Sequence, residues 1–88
     1  MEKIEAAAIK LKDGRIVFKF SPARHSDVML DISTQGDSLS GAIQGFMTSE
    51  GRFVTREEAY KIADAAGQII QREDVTPTPG TLYTEDLW

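Results

Sequence analysis

The sequence contains no cysteine and a single histidine, His25, in 88 residues. The first absence excludes disulfides, thiolate metal sites and cysteine nucleophiles. The second excludes a metal centre built on histidines, and a metal held by carboxylates alone has no recognisable loop here. Long apolar runs are also missing. None approaches the ~20 residues needed to span a bilayer, and charges interrupt MEKIEAAAIKLK, so no signal peptide is expected. A soluble, cytoplasmic protein without cofactor is the expectation. The length allows one domain, 1–88. Its core is small enough for a homodimer or higher homo-oligomer to be an expected supplement.

The net charge of −4 is unevenly placed: six of the Lys and Arg residues fall between Lys3 and Arg24, while Glu73, Asp74, Glu85 and Asp86 cluster near the end. Duplex nucleic acid is an unfavourable partner for an acidic chain, because backbone binding depends on a basic surface that releases counterions. A small anion needs only local positive charge.

Asp13-Gly14 has the composition of a two-residue hairpin turn. Closing it pairs Leu11 with Ile16, Ile9 with Phe18 and Ala7 with Phe20 on one face, and Lys12 with Arg15, Lys10 with Val17 and Ala8 with Lys19 on the other. That register separates apolar from basic residues. Ser21-Pro22 ends the strand, and Val28, Met29 and Ile32 recur at helical spacing, predicting a short helix over 23–33 with Arg24 and His25 in its first turn. Thr34 to Ser40 has loop composition. Strand character returns at 42–48, with Ile43, Gly45 and Met47 on one face and Gln44 and Phe46 on the other.

Ser49-Glu50-Gly51 fits a three-residue hairpin connection that returns Arg52-Phe53-Val54 beside Phe46-Met47-Thr48. Thr55-Arg56-Glu57-Glu58 has the pattern of a capping box. A helix follows, with Ala59, Ile62, Ala63 and Ala66 as its buried stripe and Gly67 as its stop. The segment 71–81 has linker composition, and 82–88, LYTEDLW, is an aromatic tail expected to dock on the domain or on a neighbouring protomer. The fold class is therefore α+β: a small antiparallel sheet made of two hairpins, packed with two helices.

The stretch from Gly45 to Gly67 carries the densest functional signal. Arg52 and Arg56 flank Phe53 at the start of a helix, where free N–H groups favour an anion and a guanidinium can bind phosphate through two bonds. Ordinary ion pairs with Glu50, Glu57 or Glu58 account for both arginines equally well. His25 is similarly open between a ligand-facing role and a structural one in its helix. Catalysis has no comparable support: a phosphodiesterase would rest on His25 with Asp27 or Asp31, without a metal-ligand set or a recognisable acid–base pair.

The runs ARHSDV, QGFMTSEGRFVTREEAYKIADAAGQ and LYTEDLW together resemble a group of short phage-borne proteins, among them the first-described family of Thoeris anti-defence sponges. The likeness covers most of the chain after Pro22 and is most specific at Gly45–Ala59 and in the closing tail. It implies a non-enzymatic homo-oligomer that binds a cyclic nucleotide-type immune signal, such as a glycocyclic ADP-ribose or a CBASS-type cyclic oligonucleotide, in the host cytoplasm. Arg52 and Arg56 would meet phosphate, Arg24 and His25 would lie near the ligand, and Phe18, Phe46 or Phe53 would stack on a base. The pattern departs at Ser26, where a second ring residue is common, which bears on recognition at that side. The competing reading is a small acidic phage-type protein that inhibits a host protein by direct binding.

Overall fold

The computed structural model describes residues 1–70 together with Leu82, Thr84 and Leu87. The proposed linker 71–81 and the tail residues Tyr83 and Trp88 lie outside the described residues. The order of elements is β1 (Ile4–Lys10), β2 (Ile16–Phe20), α1 (His25–Thr34), β3 (Ile43–Thr48), β4 (Phe53–Thr55) and α2 (Arg56–Ala65). The strands form one antiparallel sheet in the order β2-β1-β3-β4, giving a small α+β domain.

The first hairpin forms one residue out of the expected register. Ile9 pairs with Val17, Ala8 with Phe18 and Ala6 with Phe20. Either favoured two-residue turn needs positive φ at Asp13, and only Gly14 adopts it, at φ 95°. Leu11 donates to the Arg15 carbonyl at 2.7 Å and accepts from Gly14 N–H at 2.9 Å, so the loop is the three residues Lys12, Asp13 and Gly14. The Asp13 carboxylate completes it by accepting from the Arg15 backbone N–H at 3.0 Å and from Arg15 Nε at 2.7 Å. A slip of one residue moves every side chain of a strand to the other face. Ile16, Phe18 and Phe20 consequently leave the side expected to be core, while Lys19 turns toward α1 and pairs with Asp31 at 3.1 Å.

Both helices cover the same side of the sheet. Ala7, Ile9 and Leu11 pack with Val28 and Ile32 of α1. Ile4, Phe46 and Val54 pack with Ala59 and Ala63 of α2 and with Leu82 and Leu87. A bulge at Glu5 lets Ile4 join this layer: Ile4 pairs with Thr48 but Ala6 with Met47, so Ile4 shares the helix side with Ala7 despite an odd separation. The α2 residues buried in this layer, Ala59 and Ala63, are small.

The second hairpin matches its expected register, with Met47 opposite Phe53 and Phe46 opposite Val54, and Gly51 takes the left-handed position at φ 76°. Helix α1 starts at His25, two residues later than expected, with Arg24 as N-cap and its backbone N–H bonded to the Asp27 carboxylate at 2.8 Å. Helix α2 starts on the expected capping box. Glu58 N–H donates to Thr55 Oγ1, and the Glu58 carboxylate accepts from Thr55 N–H, each at 3.3 Å. Gly67, at φ 68°, follows its C-cap Ala66.

Candidate functional site

Gly45, in the middle of β3, is the point at which the two helix starts, and with them Arg24, His25 and Arg56, come together. His25 begins α1 and donates Nε2–H to the Gly45 carbonyl at 2.7 Å. On the other side, Gly45 pairs with Thr55, the N-cap of α2. The two helices therefore start head to head beside one strand residue. From there α1 runs toward the hairpin end, where Asp37 meets Arg15 at 2.8 Å, and α2 runs toward Ile4, which bonds to Gln68 just beyond its end. Glycine is required at this junction: a Cβ on residue 45 would lie 2.2 Å from the Val54 carbonyl oxygen and 2.7 Å from the Phe53 ring.

Arg24 and Arg56, the residues at the two helix starts, bring positive charge to the positive ends of two helix dipoles. Asp27, Glu57 and Glu58 occupy the same first turns and offset part of that field. Arg56 has structural partners: Nη1 donates to the Leu82 carbonyl at 2.7 Å and Nη2 to Gln44 Oε1. Because Leu82 N–H returns a bond to the Arg56 carbonyl at 3.1 Å, Arg56 also anchors a described tail residue on its own protomer. Gln44 was not singled out by the sequence, although its place beside Gly45 on the helix side followed from strand alternation.

The other predicted residues are arranged differently. His25 is 6% exposed and stands edge-on to Phe46, ring centroids 5.0 Å apart. Phe46 is fully buried in the core. Phe53 alternates with Val54 and therefore projects from the opposite side of the sheet, across Gly45. Arg52 and Arg56 bracket the strand β4 and take different partners. Arg52 binds Glu2, through Nη2 at 2.6 Å and Nε at 2.9 Å. None of the acids near Arg52 in sequence supplies that partner; the N-terminus does. Thr48 Oγ1 also donates to Glu2, at 2.6 Å. These bonds, Arg52 first, hold the Glu2 carboxyl at about 2, well below its ordinary value of 4.5.

A groove of about 650 Å³ lies away from this junction, at the hairpin end, between Lys12, Arg15, Asp37 and Ser40. Arg15 takes up both of its carboxylates, Asp13 and Asp37, so its charges balance. Among the described residues no group of three His, Asp or Glu is placed to hold a metal ion, and no helix is long and apolar enough to cross a membrane.

Fold and junction together define a small α+β protein with two helix N-termini and two arginine positions gathered at one strand glycine. The chain belongs to the phage T4 y16D protein family, whose model matches residues 3–88. It is thus a short phage protein. Neither the curated proteins nor the solved structures include a match.

Proposed function

We propose that this phage protein is a non-enzymatic sponge, which binds a cyclic nucleotide-type immune signal in the host cytoplasm and withholds it from anti-phage defence of the Thoeris or CBASS kind. The observation that carries the reading is the head-to-head start of α1 and α2 at Gly45, with Arg24 and Arg56 at the two N-termini. A phosphate there meets helix N–H groups and guanidinium donors together, and charge-assisted bonds of this type are about twice as strong as neutral ones. Tyr60, one turn beyond Arg56 and half-buried, supplies the aromatic surface for a base on the helix side, where Phe46 has none to offer. Sequestration asks for no reacting group, in keeping with His25 being committed to a backbone carbonyl.

The reading is tested by thermal-shift and calorimetric titration against glycocyclic ADP-ribose and a panel of cyclic di- and trinucleotides. A ligand at ~100 times its dissociation constant raises stability by about 2.7 kcal/mol, and it should be recovered intact after heating. Arg24→Ala and Arg56→Lys should each weaken binding at least about tenfold, the expected loss for a charged hydrogen bond. Arg24→Ala leaves the bonds to Leu82 and Gln44 in place, so it separates ligand contact from anchoring of the tail. No shift with any nucleotide, or recovery of a cleaved product, would overturn the proposal. Stoichiometric capture of a host protein by ligand-free material would favour the protein-directed inhibitor instead.

A further inference from the structure

The sheet has a second face, turned away from both helices, and it is apolar. The register of the first hairpin sends Phe18 and Phe20 to this side, where they remain 42% and 62% exposed, and Ile43 on β3 is 51% exposed. Ala6 and Ala8 lie between these residues and are fully covered, so the face is a layer of large side chains over a floor of small ones. Among its paired positions only Lys10 is charged. Depletion of charge with enrichment of aromatic residues is the composition of an interface centre.

We infer that this face binds a second copy of the chain, sheet against sheet, about a two-fold axis running across the strands. Three observations select that occupant and that sense. The first is area. The exposed parts of Phe18, Phe20, Ile16 and Ile43 amount to roughly 350 Å², an apolar centre for a standard interface of about 800 Å² per partner. The second is ring geometry. Phe18 and Phe20 already form an edge-to-face pair, ring planes at 90° and centroids 5.6 Å apart. An axis across the strands sets Phe18 of each copy over Phe20 of the other, gathering four rings into one aromatic cluster at the centre of the interface. A single patch that carries both members of the pair is what a two-fold interface requires. The third is charge. The same axis brings Lys10 at one end of β1 to the partner's opposite end, where Glu5 is the exposed extra residue of the bulge. An axis along the strands would set the two copies' Lys10 ends together. This interface uses the side of the sheet away from the helix starts and does not depend on the ligand reading.

Sedimentation or light scattering on the full, ligand-free chain at micromolar concentrations tests it. The expected mass is twice the 9.7 kDa of the monomer. Phe20→Glu should raise the dimer dissociation constant at least about 30-fold, the size of an aromatic hot spot, while circular dichroism shows the fold retained. Lys10→Glu should weaken the dimer and Glu5→Lys in the same chain should restore it. Because the natural chain has no cysteine, mixing Lys10→Cys with Glu5→Cys protein under mild oxidation should trap a mixed disulfide more readily than Lys10→Cys alone. A wild-type monomer at every concentration, or a dimer indifferent to Phe20→Glu, overturns the interface. Failure of both the charge swap and the mixed disulfide overturns its sense.

Discussion

At the scale of single residues, the arginines show how the same side chain serves structure or binding according to its neighbours. Arg52 lies four residues before Arg56, yet its fork is taken by Glu2 from the far end of the chain, and Thr48 joins the pair. That cluster ties the N-terminus to the β3–β4 turn. The Glu2 carboxyl titrates near 2 in the folded protein against an ordinary 4.5. A depressed folded value means that the contribution is complete above the unfolded value and is lost as the pH falls toward the folded one. Glu2→Gln should therefore lower the melting temperature at neutral pH, and the gap from wild type should close between pH 4.5 and about 2. Unfolding curves collected across that window check it; a gap that does not change with pH would mean that the ion pair adds nothing to the neutral hydrogen bonds.

At the scale of elements, the capping box, the second hairpin and the stop at Gly67 were legible because each is written in adjacent residues. Thr55 and Glu58 are three apart, and the turn Ser49-Glu50-Gly51 needs only its glycine to specify it. The first hairpin was not legible to the same degree. Asp-Gly suits two turn lengths, and Asp13 avoids the positive φ that the shorter one demands. A contact missed altogether is the clasp beyond α2. Gln68 accepts from Ile4 N–H at 2.8 Å and donates to the Ile4 carbonyl at 2.9 Å, so one side-chain amide satisfies both backbone groups at the start of β1. Gln68→Ala should cost about 2 kcal/mol in urea unfolding, since it leaves two part-buried groups unpaired, with faster hydrogen exchange at the Ile4 amide.

At the scale of the whole molecule, one sheet separates two kinds of surface. The helix side holds the core and the charged junction at Gly45; the other side holds exposed aromatic residues. A chain of 88 residues buries a modest share of its surface, and covering the open face by self-association would supplement a small core. The melting temperature should then rise with protein concentration, by several degrees over a roughly hundredfold range, and Phe20→Glu should flatten the dependence. Calorimetry at the two ends of that range checks it.

The sequence by itself determined the local elements, the α+β class and the stretch from Gly45 to Gly67 as a strand, a hairpin and a capped helix, because caps, turns and alternation act over a few residues. Tertiary structure alone decided which face β2 shows to solvent, where Arg52 finds its acid, and that α1 and α2 start beside one strand residue, Gly45. Each of those depends on partners tens of residues away, or on a register in which a shift of one residue reverses the strand.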